Sequence, residues 1–425
     1  MNDYRDRISK LPDDFLLQIL SRLPTKDVVA MSLLSKRYHF LWTLLPKLNF
    51  ELMLHSNNTS PKFTKFVDRS LLLHKAPTLE TLRVKIGSVS HTADVDVAVW
   101  VRTAVDRGVR ELDISYCPAE EPVRLPKCLF PCTSLVALKL ENMSLVDASS
   151  SYVCFNSVKT LHLLDVKYFD EQSLPRLLSS CSVLEDLVVQ RCPGDNVKIV
   201  SVNAVCLKTL TLHKSSQAFE GDDDGFLIAA PKLKRLDIED YWGGFCYIEN
   251  MPEVVEANVD VIYKNTERIL GSLTSVKRLA LCLMTSDAAY PAGTVFSQLV
   301  HLELCTCAPR WWDLLTRVIE DSPKLRVLKL RQKHIRRTSS PRASWKQPAA
   351  SLPKGLSLET FKWELYEGTQ KQKEVAKFIL QHATRLKKVI VSPKPSTSLL
   401  EKHEMLKELS SAPRGSSTCQ LLFLD

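Results

Sequence analysis

The twelve cysteines are the residues of this chain best suited to chemistry, as metal ligands or as nucleophiles. A zinc site is typically built from two close pairs of Cys or His ligands. Cys128 and Cys132 form one close pair and Cys305 and Cys307 another, but neither has a second pair at zinc spacing. A thiol nucleophile needs an activating base, and no pattern pairs a cysteine with one. The spacing therefore favours reduced structural thiols, with no metal and no cofactor.

Motifs of the common catalytic and nucleotide-binding sites are missing from the sequence. It contains no P-loop, no G-x-G-x-x-G fingerprint, no G-x-S-x-G elbow and no H-E-x-x-H motif. His403-Glu404 lacks the second histidine, and 12 glycines in 425 residues disfavour phosphate-binding loops. These absences predict that the chain is not an enzyme by itself.

Two charged segments could bind ions or partners. Residues 220–225 read EGDDDG, where three consecutive Asp could bind a cation, although a solvated turn is the simpler interpretation. Residues 331–342 are basic and contain Ser340-Pro341, which suits a nuclear-import signal, a phosphorylation site or a linker. Of the net charge of +9, residues 331–394 contribute +11 from 15 Lys+Arg and 4 Glu, so the rest sums to −2. Because the excess is local, binding to nucleic acid is not favoured.

A repeat of the form L-x-x-L-x-L organises the middle of the chain. Ten copies begin at Leu79, Val109, Leu135, Val158, Leu184, Leu207, Leu233, Val276, Leu299 and Leu325, and a degraded copy begins at Val254. From Leu135 onward the starts are 21 to 26 residues apart, within the leucine-rich-repeat period of about 20–29. The pattern predicts an α/β fold: a leucine-rich-repeat solenoid over residues 62–333, with a concave parallel sheet and helices behind it.

The repeat also predicts which side chains face inward. Positions 1, 4 and 6 carry the leucines of the core, and positions 3, 5 and 7 point away from it. Cys117, Cys192 and Cys307 stand eight residues after a first position, where the repeat consensus has Asn or Cys. We therefore interpret them as small buried residues at the corner where strand meets loop.

Seven positive and seven negative side chains occupy the outward positions of the ten better copies, a balance typical of protein recognition and not of a phosphate track. We therefore predict that a client protein binds this face. The predicted contact residues are Arg83, Glu111, Asp113, Lys139, Asp186, Arg235, Asp237, Glu239, Arg278, His301, Glu303 and Lys329.

The N-terminal segment, residues 6–42, reads as three short helices. Pro12 suits a first helical turn, and Leu16, Ile19, Leu20 and Leu23 recur at the spacing of one apolar helix face. Thr25 is placed to cap a second helix with its hydroxyl. So short a segment cannot bury all its apolar side chains internally, so a partner or the following domain should cover the remainder.

The motifs D-R-I-S-x-L-P-D, I-L-S-x-L-P-T-K and L-S-K-R-x-x-x-L-W follow one another without gaps in this segment. They resemble the F-box of plant F-box proteins. The resemblance implies docking on a Skp-type adaptor, which bridges to a cullin ubiquitin ligase. Carried over by motif, the docking residues are Leu11, Pro12, Ile19, Leu20, Leu23, Pro24, Val28, Leu33 and Trp42, with Lys36 and Arg37 facing an acidic adaptor.

The C-terminal segment, residues 345–425, is similar to the FBD domain of plant F-box proteins. The similarity rests on Trp345, Leu352-Pro353, the run LETFKWELYEG from Leu358 and the run VAKFILQHATRLKKVIV from Val375. We expect two strands flanking a helix, a last strand in CQLLFLD, and a domain that caps the end of the repeats.

Taken together, these patterns predict an F-box over residues 1–46, the repeat array, and the FBD segment. No apolar run approaches the roughly 18 residues of a membrane span, and the polar N-terminus MNDYRDRISK lacks a secretory signal. We expect a nuclear or cytoplasmic substrate-recognition subunit of a cullin ubiquitin ligase, binding an unknown client. A scaffold that does not direct degradation and a ligand-dependent sensor remain alternatives.

Overall fold

A computed structural model describes residues 11–52, 60–87, 97–116, 122–145, 153–214, 224–249, 251–263, 266–283, 290, 293–308, 311–334 and 356–424. The chain divides into two compact units. The first comprises residues 1–207 and 215–219, and the second comprises residues 208–214 and 220–425. The division falls inside the predicted repeat array, and the three predicted domain limits remain predictions.

The first unit contains six helices and ten strands among its described residues. The helices are α1 (Asp13–Leu20), α2 (Thr25–Met31), α3 (Lys36–Leu41), α4 (Ser60–Leu73), α5 (Val97–Asp106) and α6 (Ser173–Ser179). The strands are β1 (Lys47–Leu52), β2 (Thr81–Ile86), β3 (Glu111–Tyr116), β4 (Val123–Arg124), β5 (Ala137–Glu141), β6 (Met143–Leu145), β7 (Thr160–Leu164), β8 (Lys167–Tyr168), β9 (Asp186–Arg191) and β10 (Ile199–Asn203).

The three N-terminal helices form as the sequence predicts, with one difference at their caps. Pro12 precedes α1, whose first turn carries Asp13 and Asp14 next to the positive end of the helix. Thr25 does not cap α2 with its side chain. Its buried Oγ1 accepts a hydrogen bond from the backbone N–H of Asn49 at 2.8 Å instead, which ties α2 to β1.

A parallel sheet in the order β1-β2-β3-β5-β7-β9 forms the core of the first unit. Leu82 pairs with Leu112 and Leu112 with Leu138, so the inward leucines stack directly above one another. The sequence analysis missed β1, although Leu45, Leu48 and Phe50 follow the repeat pattern with Phe at the last position. The first strand therefore joins the N-terminal helices directly to the repeats.

A second, smaller parallel sheet in the order β4-β6-β8 follows the first one around a sharp corner. The corner residues Asn142 and Asp165 have positive φ angles of 56° and 52°. Asn and Asp adopt this left-handed conformation more readily than other residues with side chains. Each repeat in this region thus turns from the large sheet to the small one within a few residues.

The second unit contains four helices and eleven strands among its described residues. The strands are β11 (Thr209–Lys214), β12 (Gly225–Ala229), β13 (Arg235–Asp240), β14 (Phe245–Ile248), β15 (Glu256–Val261), β16 (Arg278–Leu283), β17 (His301–Cys305), β18 (Val327–Arg331), β19 (Thr360–Tyr366), β20 (Lys388–Pro393) and β21 (Gln420–Phe423). The helices are α7 (Glu267–Ser272), α8 (Trp311–Glu320), α9 (Gln370–His382) and α10 (Leu399–Ser410).

The large sheet of the second unit runs in the order β11-β13-β15-β16-β17-β18-β19-β20-β21. The copy at Val254 that looked degraded forms β15, a full strand between β13 and β16. Arg235 therefore lies beside Glu256, which separates it from Arg278 on β16. Ala257 stands at the repeat position where other repeats have leucine. The strand still forms there, because the backbone pairing of this residue is intact.

The C-terminal segment extends this sheet. Strand β19 pairs in parallel with β18, Val327 opposite Thr360, and β20 and β21 follow in the same direction. Phe361 and Trp363 point inward at the positions that leucines hold in earlier repeats. The expected strand–helix–strand arrangement is present as β19, α9 and β20. The segment is thus built as further repeats, and β21 is the last strand of the sheet.

No helix among the described residues is long and apolar enough to cross a membrane.

Gly225 marks a point where the second unit has no room for a side chain. It pairs with Phe245 across β12 and β14, and a Cβ there would overlap the Phe245 carbonyl oxygen. We expect Gly225→Ala to lower the free energy of unfolding by about 1–3 kcal/mol, measured by urea denaturation, because the two strands must move apart.

Gly271→Ala is the matched control. Apart from the chain neighbours of Gly271 and the backbone of α7 itself, no atom of the described residues lies within 4 Å of the place that a methyl group would take there. The lost backbone freedom of the unfolded chain should then stabilise the protein by about 0.4–1 kcal/mol. Equal effects of the two substitutions would contradict the pairing of β12 with β14.

Candidate functional site

The N-terminal helices expose an unusual number of large apolar side chains. Leu33 is 87% exposed in the short turn between α2 and α3, where no other element covers it. We call the exposed group the N-terminal apolar set: Phe15, Ile19, Leu23, Leu33, Leu34, Phe40 and Leu44. Contiguous apolar side chains left in water mark protein or membrane contact sites in soluble proteins.

Six of the residues predicted to dock an adaptor are exposed in the structure: Pro12, Ile19, Leu23, Pro24, Leu33 and Lys36. Leu11 is partly exposed. These residues are free to meet a partner, and their role in docking stays a prediction.

Three other predicted docking residues lie in the core of the first unit. Leu20, Val28 and Trp42 are 2%, 1% and 6% exposed. Leu20 is on the inner side of α1 with Leu16, whereas Ile19 and Leu23 are on the outer side. The single apolar stripe that the sequence analysis predicted is therefore divided between the core and the surface. Leu20, Val28 and Trp42 support the exposed apolar set from within the core and are not part of the surface.

Arg37 also has a partner within the chain. Its Nε donates a hydrogen bond to Asp13 Oδ1 at 2.8 Å, and its Nη2 donates to the Leu11 carbonyl oxygen at 2.5 Å. The guanidinium thereby links α3 to the start of α1. These bonds order the helices that present the apolar set, and contact of Arg37 with an acidic adaptor stays a prediction.

Four members of the N-terminal apolar set were missed by the sequence analysis: Phe15, Leu34, Phe40 and Leu44. Phe15 lies four residues before Ile19, so a second stripe offset by one residue from the core stripe was visible in the sequence. For the other three, the helices are so short that spacing alone cannot separate inside from outside.

Positions 3 and 5 of the repeats face away from the core with the register that the sequence predicts, whereas the position-7 residues Asp260, Cys282 and Cys305 are buried, contrary to the prediction. Arg83, Lys139, Asp237 and Glu303 all lie between buried neighbours in their strands. A shift of one residue would have buried these charges, because alternate side chains point to opposite faces of a strand. The surface is therefore present, while the binding of a client to it stays a prediction.

Many of the predicted client-binding residues pair with each other across neighbouring strands. Arg83 Nε lies 2.8 Å from Asp113 Oδ2, and Lys329 Nζ lies 3.3 Å from Glu303 Oε2. Asp186 accepts from His162 at 2.8 Å. Such partly exposed pairs contribute little stability, roughly 0–1 kcal/mol each. They hold the charges in fixed positions.

His301 and Arg278 lie opposite each other on β17 and β16. Burial lowers the pKa of His301, and the positive charge of Arg278 lowers it further. The imidazole is therefore neutral at neutral pH, where it can donate or accept a hydrogen bond. Arg278 is exposed at repeat position 3 of its strand. In the first unit, Glu111 occupies the same repeat position and is exposed as well.

Position 7 of the repeats forms a separate row in the second unit. We call it the carboxyl-end row; its members are His213, Glu239, Asp260, Cys282 and Cys305. Lys333, which follows β18, lies over this row: its Nζ is 2.9 Å from Glu239 Oε1 and 2.6 Å from Asp260 Oδ2. Glu239, predicted to bind a client, is thus bonded to its own chain.

Asp260 is fully buried beneath this contact. It accepts hydrogen bonds from Tyr241 Oη at 3.0 Å and lies 3.1 Å from His334 Nε2. Burial by itself lowers the pKa of Lys333, but the hydrogen bonds to Asp260 and Glu239 outweigh it, so the pKa is raised and the ammonium keeps its charge. Lys333 and His334 therefore cover part of the concave face of this unit.

A buried ion pair replaces the solvated turn expected at the end of EGDDDG. Asp224 is buried, and its Oδ2 lies 2.6 Å from Lys214 Nζ. Lys214 also approaches Asp240, whose pKa is raised by burial. Residues 220–223 of this segment, residues 335–342 of the basic segment, and Cys117 lie outside the described residues.

Three cysteines meet at the carboxyl-end row. The Sγ atoms of Cys282, Cys305 and Cys307 lie within 4.8 Å of one another, and all three side chains are buried. Hydrogen bonds from the Cys282 and Cys305 thiols lower the pKa of Cys307. Cys307 is buried after the end of β17, as the repeat pattern predicts for a corner residue. The sequence showed no second ligand pair at zinc spacing for Cys305 and Cys307, but the fold brings the Cys282 thiol to them from one repeat earlier, on the adjacent strand.

Three family models match the chain in the order of its segments. They are the F-box domain over residues 8–50, the LRR repeats of FBD-associated F-box protein At5g56370 over residues 97–249, and FBD over residues 347–391.

Similar proteins align over nearly the whole length. F-box/FBD/LRR-repeat protein At5g56420 of Arabidopsis thaliana is 79% identical over 425 residues, 100% of both chains. Probable FBD-associated F-box protein At1g32375 of the same plant is 48% identical, over 98% of this chain and 100% of the relative. F-box/FBD/LRR-repeat protein At4g26340, also of Arabidopsis thaliana, is 42% identical with the same coverage.

The contact between Lys333 and Asp260 can be tested by stability. We expect Lys333→Met to destabilise the second unit by up to about 3 kcal/mol, measured by urea denaturation, because a buried carboxylate loses its cation. Adding Asp260→Asn should recover most of the loss, since the unpaired charge is then removed.

Arg235→Met is the control, because it removes a cation from an exposed pair, Arg235 with Glu256 at 3.4 Å. Its effect should stay within about 1 kcal/mol. If Lys333→Met is as mild as this control, Lys333 does not hold the buried carboxylate.

Proposed function

We propose that this chain, which belongs to the plant family of F-box proteins with leucine-rich repeats and a C-terminal FBD domain, is the substrate-recognition subunit of an SCF-type cullin ubiquitin ligase. Membership of this family supports a role as a protein-interaction adaptor. In this proposal the N-terminal helices bind a Skp-type adaptor, which bridges to the cullin. The repeats bind a client protein, and ubiquitin transfer takes place on other subunits.

The observation that carries the proposal is the N-terminal apolar set. The family match to the F-box covers these helices, and the structure leaves seven large apolar side chains of the segment exposed. Burying one such side chain in an interface contributes roughly 1.5–3 kcal/mol. Lys36, exposed beside them, suits an acidic partner.

The contribution of this subunit to the reaction is proximity. A chain that binds adaptor through one segment and client through another raises the effective concentration of the client at the ubiquitin donor. No catalytic group is needed for this. Burial raises the pKa of Cys181 to about 11, which keeps this thiol protonated and poorly nucleophilic.

The client we infer is a protein. The concave strands carry ladders of opposite charges, Arg83 with Asp113 and Lys329 with both Glu303 and Glu364. Alternating signs repel a uniform phosphate backbone as much as they attract it, whereas they fix the register of a complementary protein surface. On this proposal the protein acts in the nucleus or cytoplasm, without nucleic acid or membrane.

Adaptor binding is tested at the outer side of α1. Ile19→Ala combined with Leu23→Ala should weaken binding to a Skp-type adaptor at least about tenfold, because two apolar contacts are lost from the interface. Binding is measured by isothermal titration calorimetry with the full chain, and thermal unfolding should be nearly unchanged since both residues are 39% or more exposed.

Leu72→Ala is the matched control: this leucine of α4 is equally apolar and exposed, but lies outside the N-terminal apolar set. It should leave adaptor affinity at the wild-type value. Wild-type affinity in the Ile19/Leu23 variant would disprove the assignment of the adaptor surface.

Client binding is tested on the concave strands of both units. We expect Lys139→Glu with Arg278→Glu to abolish capture of clients that accumulate under proteasome inhibition, because charges that fix the register are reversed. Affinity capture followed by quantitative mass spectrometry measures this. Adaptor binding and thermal stability should stay at the wild-type level, because both side chains point away from the core.

Lys407→Glu, on the exposed side of α10, makes the same charge change away from the strands and should leave capture intact. Clients that are captured but never accumulate when degradation is blocked would indicate a scaffold instead of a ligase subunit. Full capture by the Lys139/Arg278 variant would place recognition elsewhere on the chain.

A further inference from the structure

The three buried thiols of the carboxyl-end row come from two neighbouring repeats. Cys282 lies at the end of β16, Cys305 at the end of β17, and Cys307 two residues further along the chain. Cys282 and Cys305 occupy the same position of consecutive repeats, so parallel pairing brings them together. All three side chains are buried, and their sulfur atoms meet in one place.

The spacing of the sulfur atoms suits a single metal ion. In a tetrahedral zinc site the Zn–S bonds are about 2.3 Å long, which separates the sulfurs by about 3.8 Å. Here the Cys305 and Cys307 Sγ atoms are 2.9 Å apart, and the whole group lies within 4.8 Å. A small movement would bring all three to the distance required.

The backbone around the thiols presents hydrogen-bond donors to them. The N–H of His334 donates to Cys307 Sγ at 3.1 Å, and the N–H of Lys333 donates to Cys305 Sγ at 3.5 Å. Donors of this kind stabilise negative sulfur and orient metal-bound thiolates.

A fourth ligand is available on the neighbouring side. The imidazole of His334, a carboxylate oxygen of Asp260 and the sulfur of Cys282 also lie within 4.8 Å of one another. Asp260 is fully buried and engaged by Lys333 at 2.6 Å. His334 is partly exposed; its Nε2 lies 3.1 Å from the Asp260 carboxylate, and its ring packs edge-on against Tyr241. Imidazole is the usual companion of thiolates in structural zinc sites, which favours the histidine over the carboxylate as the fourth ligand.

We propose that Cys282, Cys305 and Cys307 bind one Zn²⁺ ion with His334 as the fourth ligand. Three thiolates select a soft or borderline metal over Mg²⁺ or Ca²⁺, which prefer oxygen ligands. Four protein ligands make the site closed, which is typical of structural zinc. The ion joins the ends of β16 and β17 to the residues after β18, and thus holds Lys333 and His334 over the concave face.

The test uses the purified full-length chain under anaerobic, reducing conditions. We expect about one Zn²⁺ per chain by elemental mass spectrometry, and titration with Co²⁺ should give the thiolate charge-transfer and tetrahedral ligand-field absorption bands. Cys282→Ser, Cys305→Ser and Cys307→Ser should each lose the metal. Cys419→Ser is the control, since this buried cysteine of the same unit lies outside the cluster and should keep full metal content.

The Co²⁺ titration of the wild-type chain keeps the test independent of how well the variants fold. Absence of its bands while the three thiols are reduced would overturn the proposal, as would a disulfide between Cys305 and Cys307 in the protein as isolated. Metal content at the wild-type level in the Cys282, Cys305 and Cys307 Ser variants would also overturn it. His334→Ala should change the ligand-field bands of the Co²⁺ complex and retain its thiolate charge-transfer bands. If His334→Ala leaves the ligand-field bands unchanged and Asp260→Asn changes them, the fourth ligand is the carboxylate.

Discussion

Within each unit, every repeat depends on its neighbour to cover the inward leucines of its strand. Leu82, Leu112 and Leu138 stack in register across three strands, and each would be exposed to water if the next strand were removed. The hydrophobic effect therefore acts along the direction of stacking, and the backbone hydrogen bonds between parallel strands set the register. The register of the paired strands therefore determines where the outward side chains lie.

The same constraint explains how the two ends of the array are built. At the N-terminal side β1 continues directly from the three helices, and Thr25 and Asn49 join helix to strand by a hydrogen bond. At the C-terminal side Phe361 and Trp363 replace leucines at inward positions of β19. Surfaces for partners are then left only where stacking does not reach: the outer side of the N-terminal helices and the outward positions of the strands.

Outward charges are ordered by one another and by a segment that crosses the strands. Pairs such as Arg83 with Asp113 have little net energy in water, yet they restrict where each charge points. Lys333 has a different effect, because it compensates the fully buried Asp260 and covers the carboxyl-end row. Part of the concave face is thus internal structure, and only the remainder is open to solvent.

Most of the fold was determined by the sequence alone. The period of the L-x-x-L-x-L pattern predicted the parallel strands and their register, because alternation of inward leucines and outward charges admits only one orientation. Only the tertiary structure decided which apolar residues of the short helices are core, as Leu20 is, and which are surface, as Ile19 is. Spacing on a helix of eight residues cannot make that distinction. Only the structure, too, brought Cys282 to Cys305 and Lys333 to Asp260, because these contacts depend on the stacking of strands that are far apart in the chain.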